Sequence, residues 1–450
     1  MTSFKNISKI NKLPNYFFIF FLIISLILFS YIIWKIFNPS NTHGVTYYIF
    51  YLSFFFIAIL FFLIGTFYFD DSKKLNISLV LISSLVTIYL SELIVSTFNQ
   101  YSINIELRDN KLKELEYVNF IEDLRNRGFD AYPNFYPMMA ASTNGLLINE
   151  KKIYPLSGIS NSFTSFHSEN GYNPIIKTDK HGFNNDPDIY NNPLDIALIG
   201  DSFVEGWSVN QNENISHYLN ELGWNTINLG KGSIGPLTEL ATLIEYAKPY
   251  EPKIVIWFYC FNDISNLNTS KNTILKKYLD HGDYSNNLID RQSEIDESIK
   301  AFIKLHSEKK DSIIAPKGDR LSFSEIKNFL KLTGIRSLIE PNIQEKPYDI
   351  DLFKRILLKA NLEIEKWGGK MYFVYLPNYL NYSQKKKHKF KNEVIRTVED
   401  LGIPLIDLHE KAFKLHSDPL SLFPFRKNGH FNKYGYQLVA ETINKLIEYP

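Results

Sequence analysis

The chain has 450 residues, enough for more than one domain, and its 45% hydrophobic and 22% charged content is that of a folded, membrane-attached protein and excludes a disordered one. Forty-nine basic and 48 acidic residues leave a formal net charge of +1, which gives no electrostatic footprint for nucleic acid or an acidic polymer. The single cysteine, Cys260 in the apolar run IVIWFYC, excludes an internal disulfide and a multi-cysteine metal site, and reads as a buried thiol.

Three strongly apolar runs come first, at about 15–37, 46–69 and 77–98, each long enough to cross a hydrocarbon core of roughly 30 Å as a helix. The first is too long for a signal-peptide core and has no small-residue cleavage site after it, so it reads as a retained span. Lys5, Lys9 and Lys12 precede it, the 38–45 loop has no Lys or Arg, and Lys73 and Lys74 separate the second and third runs. The positive-inside rule then puts the N-terminus inside and everything after residue 98 outside. In a bacterium this is a multi-pass inner-membrane protein, with the lipid bilayer as its first partner and its soluble part in the periplasm or outside the cell. Glu92, the one acidic residue within a run, is read as snorkelling to the outer interface or pairing with another helix.

Residues 1–98 are thus a three-helix anchor, and 99–190 read as a spacer helix followed by a loop-rich segment. Leu112, Leu115, Val118, Ile121 and Leu124 recur at helical spacing until Gly128. After them come Asn-, Pro- and Gly-rich stretches such as YPLSGISN and TDKHGFNND, which read as loops with short strands. Residues 191–450 change character. The β-branched and aromatic runs DIALIG, NTINLG, IVIWFYC, MYFVYLP and IPLIDL are separated by helical stretches at 236–248, 350–367 and 387–401. Alternating strands and helices predict an α/β domain built on a parallel sheet covered on both faces. Residues 265–350 interrupt the order as a charged, largely helical insertion.

In open parallel sheets the ligand crevice lies beyond the carboxyl ends of the strands. After DIALIG stands Gly200-Asp201-Ser202-Phe203, where Gly200 would permit a tight turn presenting Ser202 at a helix start. After NTINLG stands Lys231-Gly232-Ser233-Ile234-Gly235-Pro236, either a plain strand-to-helix turn or a row of backbone N–H groups pointing into the crevice. After IVIWFYC stands Asn262-Asp263, where Asn262 reads as a turn or cap residue or as a donor to a developing oxyanion. Asn428-Gly429-His430 precedes a final helix at about 434–448, which returns His430 to the same edge. A serine hydroxyl needs such an imidazole to take its proton.

In this order, GDSF at 200–203, NLGKGSIGP at 228–236, ND at 262–263 and GHFNKYGYQLVAE at 429–441 resemble the four blocks of the SGNH/GDSL hydrolase superfamily, over residues 195–450. GFNND at 182–186 and the N-terminal spans further resemble a membrane-anchored bacterial subgroup. The resemblance implies a flavodoxin-like, doubly wound, five-stranded parallel sheet and no cofactor or metal. It implies that Ser202 attacks an ester carbonyl, with His430 as general base and then acid. Asn262, the Ser202 N–H and an N–H of the 232–235 turn would hold the oxyanion, with Gly232 in that turn and Ser233 at the family's usual glycine position. The family's acid two or three residues before the histidine is missing, since Asn428 and Lys427 stand there. Asn428 or a backbone carbonyl would then hold the imidazole, or Asp407, at the end of IPLIDL, would substitute.

The function implied is a membrane-anchored, extracytoplasmic esterase or O-acyltransferase acting on ester-linked acyl groups of a saccharide or lipid. A transferase of this kind would need a partner membrane protein to deliver the acyl donor. The alternative, motivated by the missing acid and by Ser233, is a degenerate, non-catalytic glycan-binding module of an envelope assembly. No GxGxxG opening a helix, P-loop or HExxH is present.

Overall fold

A computed structural model describes residues 13–37, 45–141, 143–148, 151–270, 273–310, 323–339, 349–384 and 390–448. The chain divides into two units, one of residues 1–106 with 319–343, the other of 107–318 with 344–450.

The first unit holds three helices long and apolar enough to cross a membrane, Leu13–Ile36, Tyr48–Tyr68 and Asp71–Ser102. The first two pack through aromatic rings. Phe18 is fully buried, edge-on to Phe62 and Phe69, and Gly65 makes room for it, because a Cβ there would fall 2.5 Å from the Phe18 ring. Of the lysines that predict orientation, Lys5, Lys9 and Lys12 lie outside the described residues. Lys73 pairs with Asp70 at 3.1 Å, and Lys74 is buried, donating to the Thr66 carbonyl at 2.8 Å and to Asn15 at 2.9 Å. The third span and the spacer helix, expected as separate elements, are one helix, Asp71–Asn126. No Gly or Pro lies between 98 and 112 to stop it. It ends where Gly128 turns left-handed at φ +90° and Phe129 N–H bonds the Leu124 carbonyl. Its buried face in the second unit is Tyr117, Ile121 and Leu124, whereas Leu112 and Leu115 of the expected apolar stripe are exposed.

The second unit is organised by a five-stranded parallel sheet. Two short antiparallel hairpins precede it, β1 (Leu146–Ile148) with β2 (Lys151–Ile153) and β3 (Phe163–Ser165) with β4 (Ile175–Lys177). The sheet strands are β5 (Ile196–Ile199), β6 (Thr226–Asn228), β7 (Ile254–Tyr259), β8 (Lys370–Tyr375) and β9 (Leu405–Asp407), in the order β6-β5-β7-β8-β9. All neighbours are parallel, with Ile196 opposite Thr226 and Ile254, and Ile254 opposite Lys370. This is the doubly wound order 2-1-3-4-5, whose direction reverses between β5 and β7, where a ligand crevice is expected.

The strands read as unbroken apolar runs because both faces are covered. Ala197, Ile199, Val255, Trp257, Tyr259 and Phe373 enter one core, and Ile196, Leu198, Ile256, Phe258, Val374 and Ile406 enter the other. Part of the 265–350 insertion belongs to the first of these cores through Leu275, Tyr278, Leu288, Ile295 and Ile299, while residues 319–343 belong to the other unit.

Candidate functional site

The serine turn is built by close packing rather than by a left-handed glycine. Gly200 has no positive φ, but a Cβ there would meet Val204 at 2.6 Å and Phe258 at 3.0 Å, so the backbone can pass only as glycine. Asp201 N-caps the short helix Ser202–Glu205, its carboxylate accepting the Phe203 N–H at 3.0 Å. Burial pushes the Asp201 carboxyl upward, against the Phe203 N–H, the charge of His430 and the Asn262 amide. The helix stops at Gly206, left-handed at φ +86°, and the chain folds back through Trp207 to Ser208, which is itself left-handed at φ +79° and fully buried. A non-glycine residue there is uncommon and marks a constrained site.

That fold-back brings the other parts together. Ser202 Oγ lies 2.7 Å from His430 Nε2. The opposite ring nitrogen, Nδ1, lies 2.9 Å from Glu169 Oε1, and Glu169 also accepts the His430 backbone N–H at 2.9 Å. Glu169 sits in the β3–β4 loop and is fixed from below, where Ser208 Oγ donates to its carboxylate at 2.9 Å and the Asn170 amide donates to the Ser208 carbonyl. Burial raises the Glu169 carboxyl, but the hydrogen bonds and charge of His430, with Ser208, outweigh it and hold the group below its ordinary value. Trp207 stacks on the imidazole with centroids 5.5 Å apart, and Phe166 and Tyr136 stack on Trp207 in turn. Serine, imidazole and carboxylate therefore form one hydrogen-bonded chain beyond the carboxyl end of β5.

The sheet order is that of a flavodoxin-like, doubly wound α/β unit. Among solved structures the chain is similar to a protein described as lipolytic and of the G-D-S-L family from Desulfitobacterium hafniense DCB-2, at 13% identity over 57% of this chain and 100% of that one, with a TM-score of 0.33. It is also similar to a lipase/acylhydrolase from Enterococcus faecalis (13% identity, 56% of this chain, 93% of the other, TM-score 0.32) and to an acetyl xylan esterase (13%, 56%, 99% and 0.32). No protein-family model matches, and no curated protein matches significantly. Similarities this distant say nothing of substrate, and the fold is read from the sheet order itself.

The site differs from the sequence expectation in its acid. Asp407 is not at the imidazole. It caps the helix that follows β9 by accepting the His409 N–H at 3.0 Å, and it pairs with Lys391 at 2.6 Å. Asn428 is exposed, and the imidazole nitrogen assigned to it is taken by Glu169. Gly429 is what lets the carboxylate in, because a Cβ there would stand 2.8 Å from Glu169 Oε2.

The oxyanion donors are also redistributed. Gly232 N–H points away, donating to Glu205 Oε2 at 2.7 Å, and a Cβ on Gly232 would press on the Tyr136 ring at 3.0 Å. Ser233 is exposed and left-handed at φ +58°. No acceptor among the described residues takes the N–H of Ser202 or of Ser233. Asn262 donates one amide hydrogen to Asp201 Oδ2 at 3.2 Å, which leaves its second hydrogen unassigned.

Beneath the turn lies a polar knot that sequence reading passed over. Glu205 and Lys231, both 2% exposed, form an ion pair, and Asn134 bridges them by donating to Glu205 at 3.0 Å and accepting from Lys231 at 2.7 Å. Gly230 is obligatory beside it, since a Cβ would fall 2.4 Å from the Glu205 nitrogen. Among the described residues no group of His, Cys, Asp and Glu is arranged to hold a metal.

Proposed function

We propose that the second unit is a serine hydrolase that cleaves, or transfers, ester-linked acyl groups through an acyl-enzyme on Ser202. The observation that carries this reading is the hydrogen-bonded chain from Ser202 Oγ through His430 to Glu169. With Glu169 accepting at Nδ1, the neutral imidazole carries its proton there and turns the Nε2 lone pair toward Ser202. His430 takes the hydroxyl proton as Oγ bonds to the ester carbon. The oxyanion that forms meets the N–H groups of Ser202 and Ser233 and the second amide hydrogen of Asn262. When the carbon–oxygen bond breaks, His430 returns the proton to the departing alcohol. Water then resolves the acyl-enzyme in hydrolysis, or a second hydroxyl does so in transfer.

The three apolar helices support membrane anchoring, and the lysine distribution supports an extracytoplasmic site, where acylated saccharides and lipids are the available esters. Transfer would further require a membrane partner that brings an acyl donor. The non-catalytic reading loses its main motive, because a carboxylate does stand on the imidazole.

Fluorophosphonate labelling of the full chain in detergent, with p-nitrophenyl acetate turnover in parallel, tests the proposal. Labelling and turnover that both disappear in Ser202→Ala are the expected result. A folded wild type that neither labels nor turns over overturns it.

A further inference from the structure

Residues 323–339, inside the long insertion, belong to the unit that contains the apolar helices. They form two short helices, Phe323–Leu330 and Thr333–Ile339, joined at a left-handed Leu332 (φ +54°). Their anchor is Glu92, fully buried on the third span. Its carboxylate accepts the N–H groups of Gly334 and Ile335, each at 2.8 Å, and the Ser96 hydroxyl at 2.9 Å. One turn away the Tyr89 hydroxyl donates to the Leu330 carbonyl at 3.3 Å, and its ring lies 5.5 Å from Phe329. Glycine suits position 334, since a Cβ would stand 3.0 Å from Ser96 Oγ and 3.1 Å from both Glu92 oxygens and would press on the docking contact.

This docking sets a depth. The apolar run of the third span ends near Phe98, so at about 1.5 Å per residue Glu92 lies roughly 9 Å inside it. Helices that lie in a membrane interface sit about 5–10 Å into the headgroup and acyl boundary. The outward side chains have the matching chemistry. Ile326, Leu330 and Leu338 are 44%, 60% and 63% exposed, and Lys327, Lys331 and Arg336 are exposed among them. Apolar residues that suit acyl chains thus alternate with basic residues that suit anionic headgroups.

We propose that residues 323–339 are a membrane-interface hairpin, docked on Glu92, whose Ile326, Leu330 and Leu338 insert among the acyl chains of a lipid bilayer. The proposal rests on reading the three apolar helices as membrane spans, and the test separates the two. The full chain carrying Leu330→Cys or Leu338→Cys is labelled with an environment-sensitive fluorophore and reconstituted in vesicles of phosphatidylcholine and phosphatidylglycerol. Val86→Cys, on the exposed face of the third span, is the control, and the parent chain with its buried Cys260 is the labelling blank. The expected result is quenching at 330 and 338 by lipid bearing a nitroxide near the headgroup end of its acyl chain, with loss of quenching by aqueous iodide. The label at 86 is expected to be quenched by a nitroxide deeper in the chain. If 86 behaves so while 330 and 338 are quenched by iodide, or by neither quencher as in a contact with a second copy, the hairpin proposal is overturned and the spans stand. Iodide quenching at all three positions overturns the spans themselves.

Discussion

The carboxyl edge of the sheet and the β3–β4 loop both deliver groups to the proposed site, and they do so by different physics. Ser202 is placed by β5, an apolar strand buried on both faces, and the glycine contacts at 200 and 230 leave its turn a single path. Glu169 is placed by a loop whose own strands have three residues each, and its position depends on hydrogen bonds from His430 and Ser208, with the Asn170 amide holding the Ser208 carbonyl, rather than on a core. The sheet edge is rigid because of what is packed beneath it. The loop is rigid only because its partners are in place. Substitutions at the edge should therefore cost folding or chemistry outright, and those at the loop should act through geometry.

The sharpest probe of the loop is Glu169→Gln. It keeps the shape but donates where the carboxylate accepts, which inverts the imidazole tautomer. A loss in kcat/KM of about 10³- to 10⁴-fold is expected with the fold retained, in line with the corresponding change in serine proteases. A loss under tenfold in steady-state kinetics would show that the loop acid is dispensable. At the edge, Lys231→Met leaves Glu205 charged, buried and without its cation, which is expected to destabilise the unit by about 3–5 kcal/mol in chemical denaturation. A smaller value, under about 1 kcal/mol, would mean that the knot beneath the serine turn is not structural.

Gly429→Ala pushes a methyl group toward Glu169 Oε2 and should misplace the acid without removing it. A loss of about 10- to 100-fold in kcat with near-normal KM is expected, since roughly 1 Å of misplacement has effects of that size. Unchanged kcat would place Glu169 outside the proton-transfer geometry.

The pH dependence of stability distinguishes the regions again. Glu169 is held below its ordinary value of 4.5 by His430, so its stabilising contribution is fully present above pH 4.5 and is lost as pH falls through the lowered folded value. The Tm difference between wild type and Glu169→Gln should therefore narrow as pH drops below 4.5. A difference that stays constant across that window would remove Glu169 from the linkage. The smallest effect belongs to Asp407→Asn, for which kcat/KM is expected to change by less than about twofold, since Asp407 serves a helix cap and Lys391. A hundredfold loss there would return the acid to the end of β9.

What was legible in the sequence follows the same division. The apolar helices, the five strands and the residues at their carboxyl ends are announced by apolar runs and by the Gly and Asn that follow them, so Ser202, Asn262 and His430 could be put forward as candidates before any fold was known. Glu169 could not. It lies 261 residues from the histidine it touches, in SENGYN, a stretch that reads as an ordinary turn. The one available signal was negative: without an acid at 427 or 428, the carboxylates of the loop-rich segment were the remaining acceptors to search. Gly232 was misread because a strand-end turn does not reveal that a buried Glu205 has already taken its N–H. The docking of 323–339 was hidden because the helical spacing of a short segment does not say what it packs against, and Glu92 gave no hint of which segment would cover it.

The upstream position of Glu169 has a consequence in time. The carboxylate is synthesised 261 residues before the imidazole it holds, which at ribosomal rates of about 5–20 residues per second is roughly 13–52 s. For 228 of those residues, roughly 11–46 s at about 5–20 residues per second, Ser202 exists without the imidazole it hydrogen-bonds, while the apolar helices that precede both have already been made. On the proposed function, a nascent chain would therefore meet the bilayer as an inert protein and gain its reactive serine only after His430 is made.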